Sequence, residues 1–340
     1  MRPELTARAA QQGGLVTRRQ AIRAGYRERE LRTLTATHGA WVTVRRGVYV
    51  DRSLWEALDE TGQWTLRDRA AHLTMTKPHV MSHDSAARLL GLEMLNAKRP
   101  LSHIVRPGVG GSRTEHGVKH HLSRVSPREV ETVDGIRVTG LARTALDIGR
   151  EHGFEAGAVA VDGAMRRGVT RKQLVEELEL MENWPHITSS RAAVDVGDAG
   201  AETVGETMAR LLVLELGIGR PSTQFAVSIR SGVAWCDLRV GCHVFEFDGR
   251  IKYHRVVNGG VADRPVEDVL WDERQRQQEI CALGLGMSRI IWSDFYGAAR
   301  DRARHRLREE YTVTERRYGS ELPEGLARFA EEMQGKRCAG

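Results

Sequence analysis

Three carboxylates, Asp237, Glu246 and Asp248, sit close together in Cys236-Asp-Leu-Arg-Val-Gly-Cys-His-Val-Phe-Glu-Phe-Asp-Gly249. The runs Trp235 to Val240 and Cys242 to Phe247 are β-branched, aromatic and apolar around a turn at Gly241, which predicts a hairpin. Side chains alternate along a strand, so Val244, Glu246 and Asp248 point one way and Phe245 and Phe247 the other. Carboxylates on an otherwise apolar strand are costly unless a cation pairs with them. Asp237, on the neighbouring strand, is within cross-strand reach if the register suits. Three carboxylates around one point fit a hard divalent ion such as Mg²⁺ (or Mn²⁺), which takes oxygen ligands. The competing reading is a solvent-facing strand whose acids keep it soluble, with Phe-Asp-Gly as a turn. The residues alone leave both open.

Around that hairpin the sequence predicts a helix over Glu202–Leu216, with Val204, Met208, Leu211 and Leu212 apolar and Glu202 and Glu206 four apart on one face. A strand over Gln224–Ile229 leads into the hairpin. A helix dense in Arg and Gln follows over Asp268–Leu283, ended by Gly284, and Met287–Trp292 is a closing strand. The order is helix, three strands, helix, strand. Ala298 to Gly340 is charged and helical in pattern, broken at Pro323-Glu-Gly. Its mixed Arg and Glu predict a solvated helix rather than a binding surface.

The net charge of +6 is unevenly spread: residues 1–50 carry ten Arg against three Glu, leaving the rest close to neutral. A basic N-terminal module on a near-neutral body points to a polyanion partner. A helix over residues 1–12 is closed by Gly13-Gly14. Thr17 is positioned to cap Arg18–Ala24, and Gly25 ends that helix. A second helix, Arg27 to Thr37, turns Leu31 and Leu34 inward and Arg27, Arg29 and Arg32 outward. Trp41 to Val50 alternates like two strands joined at Arg45-Arg46-Gly47. Helix, turn, helix and basic hairpin is the plan of a winged helix-turn-helix. Its second helix enters the major groove of double-stranded DNA and its wing lies near phosphates, so Arg18, Arg19, Arg27, Arg29, Arg32, Arg45 and Arg46 are the expected contacts. Small helical modules of this plan also mediate protein contacts.

Residues 65–185 read as a mixed domain, with helices over Arg67–Thr76, Ser85–Leu92, Ala156–Arg166 and Thr170–Glu182, another opening at Thr144, and strands at Ser102–Val105 and Val118–Leu122. His83, His103, His116, His120 and His121 fit no zinc spacing and read as surface or hydrogen-bonded core residues. Arg106-Pro-Gly-Val-Gly-Gly-Ser-Arg113 lacks the Lys-Ser/Thr ending of a phosphate loop and reads as a basic hairpin loop. Trp184-Pro185 opens a small, polar stretch that predicts a linker over residues 186–200.

At 340 residues, two or three domains are expected. No apolar run approaches a membrane span or a signal peptide, and the four cysteines show no zinc spacing, so a cytoplasmic protein with reduced thiols and no membrane partner is expected.

Two resemblances sharpen this. Leu15-Val-Thr-Arg-Arg-Gln-Ala through Arg46-Gly-Val-Tyr, with Ser82-His-Asp-Ser-Ala-Ala-Arg-Leu-Leu-Gly-Leu and Asp134 to Asp147, resembles the AbiEi antitoxin family of abortive-infection toxin–antitoxin systems. That implies operator binding, autorepression and a cognate toxin protein. Residues 200–300, through Glu206, Asp237, Val244-Phe-Glu-Phe-Asp-Gly-Arg-Ile-Lys-Tyr253, Trp271-Asp-Glu-Arg and Arg289-Ile-Ile-Trp292, are similar to the PD-(D/E)XK nuclease core, in the branch related to very-short-patch-repair endonucleases. The resemblance implies that Asp237 and Glu246 hold Mg²⁺ and that Glu206 helps through the metal or a water. The family's Lys two residues beyond the motif Glu is replaced here by Asp248, with Lys252 as a candidate substitute. Gln224 falls where that branch often has a Gln.

The expected chain is thus a multidomain α+β and α/β protein. A winged helix spans 1–60, an AbiEi-like α/β domain 61–185, a linker 186–200, an endonuclease-like αβββαβ domain 201–300 and a charged tail 301–340. The expected function is DNA binding with Mg²⁺-dependent phosphodiester cleavage, in phage defence or a toxin–antitoxin setting. The alternative is an AbiEi-type antitoxin and autorepressor with an inactive nuclease-like domain.

Overall fold

The computed structural model describes residues 1–95, 101–107, 111–249 and 266–339. The chain divides into two compact units, one of residues 1–164 with 169–196 and the other of 165–168 with 197–340. Both mix helices and sheet, with fourteen α-helices and three sheets among the described residues.

In the first unit, α1 (Pro3–Gln11), β1 (Val16–Thr17), α2 (Arg18–Arg23), α3 (Glu28–Leu34), β2 (Trp41–Arg45) and β3 (Val48–Asp51) surround a three-stranded sheet of order β1-β3-β2. Thr17 caps α2 as its sequence predicts: its hydroxyl accepts the Gln20 amide at 3.2 Å, and its own amide donates to Gln20 Oε1 at 2.7 Å. Helices of six and seven residues are too short to persist alone. They are held by Leu5, Ala21, Leu31, Trp41 and Tyr49, buried together.

The chain continues through α4 (Arg52–Ala57), α5 (Glu60–Thr74), β4 (Val80–Met81), α6 (His83–Leu90), β5 (Ser102–Val105), β6 (Arg113–Glu115), β7 (Val118–His121), β8 (Val130–Val133), β9 (Ile136–Thr139), α7 (Leu141–His152), α8 (Phe154–Arg166), α9 (Arg171–Leu180) and α10 (Ile187–Val196). The sheet runs β6-β7-β5-β4-β9-β8, with β5–β7 and β4–β9 parallel and the other pairs antiparallel. Buried Asp68 on α5 binds α6, accepting from Arg88 Nε at 2.6 Å and from Ser85 Oγ at 2.6 Å.

The linker expectation over 186–200 is corrected here. Residues 187–196 form α10, burying Ile187, Ser190, Ala193 and Val194 against α7, and Ser190 Oγ donates to the Leu146 carbonyl at 2.7 Å. Small residues let these helices approach: a Cβ on Gly149 would lie 2.7 Å from Ser190 Oγ and 3.2 Å from Ser190 Cα. The Ser and Ala content that reads as a linker is what close helix packing requires.

In the second unit, α11 (Val204–Glu215) precedes β10 (Ser222–Ile229), β11 (Gly232–Val240) and β12 (His243–Asp248), then α12 (Val266–Ala282), β13 (Gly286–Ile291), α13 (Gly297–Tyr318) and α14 (Glu324–Ala339). The expected order of helix, three strands, helix and strand is present. The sheet is β10-β11-β12-β13, antiparallel except for parallel β12–β13, which needs α12 as a crossover.

Two expectations are revised in this unit. Glu202 lies before the Thr203 cap, outside α11, so it shares no helix face with Glu206. The charged tail is structural rather than merely solvated: α13 buries Ala303, Leu307 and Tyr311, and Ala330 of α14 joins Phe225, Val227, Val244 and Ile280 in one apolar cluster. Four buried positions along α13 suffice to dock it, however charged its outer face.

Candidate functional site

The carboxylate hairpin is assembled from α11, β10, β11, β12 and α12. At the start of α11, the Thr203 hydroxyl accepts the Glu206 amide at 3.2 Å, fixing the first turn. Glu206 is buried. Its Oε2 accepts from the Glu202 amide at 2.8 Å and from Gln224 Nε2 at 3.3 Å, and its Oε1 accepts from the Thr203 hydroxyl at 3.0 Å. The preceding residue has to be glycine, because a Cβ at Gly205 would meet Phe247 Cε1 of β12 at 2.0 Å. That approach brings Glu206 beside the strand carrying Glu246.

Gln224 has φ +50°, a left-handed backbone that is uncommon outside glycine. The β10–β11 register pairs Thr223 with Leu238 and Phe225 with Cys236, so Gln224 is the residue level with Asp237. A Gln at the start of a strand is ordinarily no more than a buried strand-start residue. Instead Gln224 is half-buried and links Glu206 to the strand, while its Oε1 accepts from Arg337 of α14 at 2.8 Å.

Pairing of β11 with β12 ends at Leu238 and Phe245. Beyond that point Asp237 Oδ2 accepts the Phe247 amide at 2.8 Å, so a side chain continues what the backbone ladder has stopped doing. Asp237 is pushed up to about 7, mainly by burial and then by the negative charges of Glu206 and Glu246, against the Phe247 amide. Glu246 is buried and raised for the same first reason, with Arg276 pulling the other way. Arg276 Nη1 donates to Glu246 Oε2 at 3.2 Å, and Nη2 stands 2.9 Å from Oε1 while donating to the Trp235 carbonyl at 2.7 Å. Glu246 Oε1 nevertheless has no aligned hydrogen bond among the described residues. Asp248 at the strand end pairs with Arg289 at 3.5 Å. Lys252 lies outside the described residues.

Glu206, Asp237 and Glu246 therefore interact, but they do not converge as tightly as three histidines elsewhere do. Among the described residues, the group of three His, Cys, Asp or Glu side chains whose ligating atoms all lie within 4.8 Å of one another is His83, His103 and His121. Sequence spacing hid them, since they come from α6, β5 and β7. The signal available was the position of His103 and His121 on neighbouring parallel strands, whose register pairs His103 with Lys119, two residues before His121. His120 instead accepts from Arg106 Nε at 3.0 Å, and His116 sits in the exposed turn between β6 and β7. In the Arg106–Arg113 loop, residues 108–110 lie outside the described residues.

The arginines expected at DNA are mostly on the surface. Arg18, Arg19, Arg27, Arg29, Arg32 and Arg46 are exposed, with Arg27 at the start of α3 and Arg29 and Arg32 along it. Glu28 and Glu30 on the same helix pair with Arg18 and with Arg2. Arg45 is half-buried and its Nη1 donates to the His116 carbonyl at 2.8 Å, which ties the hairpin tip to a turn of the six-stranded sheet. Cys236, Cys242 and Cys281 are free thiols. No helix among the described residues is long and apolar enough to cross a membrane.

No protein-family model matches this sequence, and no curated protein matches it.

Proposed function

We propose that this chain binds double-stranded DNA through its N-terminal elements and hydrolyses phosphodiester bonds at the Asp237/Glu246 hairpin with Mg²⁺ or Mn²⁺. One observation carries the reading: two carboxylates face each other across β11 and β12, with Asp237 pushed up to about 7 and Glu246 Oε1 in no aligned hydrogen bond among the described residues, its nearest cation being Arg276 at 2.9 Å. An all-oxygen donor pair under like-charge pressure fits a hard divalent cation. Such an ion supplies a bound water of lowered pKa and neutralises charge on the reacting phosphate. In this assignment Asp237 and Glu246 hold the ion. Glu206, steadied by Gln224, orients a water beside it. Asp248 positions the strand end through Arg289.

The α2–α3 pair and the basic β2–β3 hairpin support a winged helix-turn-helix as the targeting element, with Arg27, Arg29, Arg32 and Arg46 on the DNA. The sequence resemblance to the AbiEi antitoxins and the PD-(D/E)XK nucleases points to the setting we propose, phage defence or a toxin–antitoxin pair.

A second reading has its own observation. Arg276 already gives Glu246 a cation, and Arg289 does so for Asp248. A site neutralised by guanidinium groups suits an antitoxin and autorepressor whose nuclease-like sheet is inactive and whose partner is a toxin protein.

The test is supercoiled plasmid with Mg²⁺ or Mn²⁺, comparing wild type with an Asp237→Ala/Glu246→Ala double variant, alongside a gel shift on promoter DNA. Nicking or linearisation lost in the variant supports the nuclease. Binding without cleavage by either protein supports the repressor. In the gel shift, Arg29→Ala and Arg32→Ala should each lower the salt slope by about 1 if both touch phosphates.

A further inference from the structure

We propose that His83, His103 and His121 bind one divalent transition-metal ion, Zn²⁺ or an ion of similar ligand preference, which pins α6 to β5 and β7 in the first unit. The three side chains are 3%, 2% and 6% exposed, so no solvent competes for their ring nitrogens. His103 Nδ1 and His121 Nε2 approach to 3.0 Å. Two nitrogens on one tetrahedral Zn²⁺, each at 2.0–2.1 Å, lie about 3.3 Å apart, so this pair needs only a small adjustment to share an ion. His83 completes the group, since one nitrogen from each of the three rings lies within 4.8 Å of the others. Its ring stacks on His121 at 3.7 Å between centroids, 12° from parallel, and its Nδ1 bonds Ser82 Oγ at 3.0 Å, so sharing an ion requires the His83 ring to tilt out of the stack, because imidazole lone pairs lie in the ring plane. Its backbone is held at φ +50°, a conformation that costs free energy in a non-glycine residue and fixes where the imidazole points.

The surroundings have the form of a metal site's outer shell. Asp84 Oδ2 lies 3.9 Å from His103 Nε2, on the far side of the ring from the nitrogen facing His121, and Asp147 Oδ1 lies 3.7 Å from His83 Nε2. At these distances neither is a hydrogen bond; a carboxylate that closes onto the outer nitrogen of a ligating histidine sets its tautomer and raises its basicity. Asp84 is 1% exposed, and its Oδ1 binds His152 Nε2 at 2.7 Å, yet Oδ2 has no hydrogen bond among the described residues. An unsatisfied buried carboxylate oxygen is expensive. It becomes useful as the acceptor for the outer nitrogen of a metal-bound His103. Three imidazoles select a borderline transition metal over Mg²⁺, so this site is chemically distinct from the carboxylate hairpin. Burial on all sides makes the ion's role structural.

The test uses the full chain, stripped with chelator and titrated with ZnCl₂ against a chromophoric competitor, with Co²⁺ as a spectroscopic probe. One ion per chain is expected, with imidazole nitrogens at 2.0–2.1 Å by X-ray absorption and a tetrahedral Co²⁺ spectrum. His103→Gln and His121→Gln should each weaken binding at least 100-fold, and Asp84→Asn about 10-fold. The Asp237→Ala/Glu246→Ala variant should keep the zinc. Absence of stoichiometric Zn²⁺ or Co²⁺ binding by the wild-type chain overturns the proposal. So does an X-ray absorption spectrum without imidazole ligands, a readout that holds even if the histidine variants fail to fold.

Discussion

Arg276 Nη2 stands 2.9 Å from Glu246 Oε1, so the most buried acid of the hairpin already faces a guanidinium from α12. Removing that charge leaves Glu246 beside Asp237 with only the weaker influence of Arg289 opposing them. Arg276→Gln should lower stability at pH 8 by about 2 kcal/mol, because a partly buried carboxylate loses its partner. Urea denaturation measures it, with and without millimolar Mg²⁺. If Glu246 is a metal ligand, Mg²⁺ recovers part of the loss; identical losses in both buffers would argue against it.

The contact between Gly205 and Phe247 admits no side chain, and Phe247 cannot turn aside, being packed against Trp292 at 5.3 Å and Phe295 at 5.7 Å between ring centroids. Gly205→Val should cost about 2 kcal/mol or more through overpacking. Phe247→Leu should recover some of this in the double variant. Additive losses in a double-mutant cycle would show that the helix does not rest on that ring.

His243 on β12 is bonded on both ring nitrogens, to Thr314 Oγ1 and Ser288 Oγ, each at 2.7 Å, and burial pushes it down to about 4. An unfolded histidine titrates near 6.5, so between about pH 6.5 and about pH 4 the unfolded chain binds more protons than the folded one. This residue's contribution is therefore complete above pH 6.5 and is lost as pH falls towards 4. The stability gap between wild type and His243→Gln should shrink across that window. A gap that stays constant would mean that His243 does not titrate differently on unfolding.

Ala330 brings α14 onto the sheet, where it is buried with Phe225, Val227 and Ile280. Ala330→Asp should destabilise the second unit by about 3 kcal/mol, since the new charge has no partner there. Truncation before Pro323 should expose the same cluster and bind a hydrophobic dye. A truncated chain with unchanged melting and no dye binding would return the tail to the role of a solvated appendage.

Much of the architecture was legible because local signals agree with the fold. Thr17 and Thr170 cap the helices they precede, the Gly241 turn lies between β11 and β12, and the helix, three strands, helix and strand of the second unit follow in the expected order. The elements misread were those whose composition conflicts with their packing. The segment now seen as α10 is small and polar because its neighbours Gly149 and Gly157 admit only small groups. The charged α13 and α14 dock through a few apolar positions each, a minority signal in an Arg- and Glu-rich sequence.

The sequence by itself determined which carboxylates and arginines exist, their secondary-structure elements and, through side-chain alternation, that Asp237 and Glu246 can face one another across a turn. Only the tertiary structure decided what stands opposite them. That Arg276, thirty residues beyond Glu246, supplies the nearest cation depends on where the crossover helix lands on the sheet. The same holds for His83, His103 and His121, which converge because a helix start and two parallel strands meet at one place. Local spacing fixes periodicity, whereas long-range packing fixes proximity, and both the carboxylate hairpin and the histidine cluster are defined by proximity.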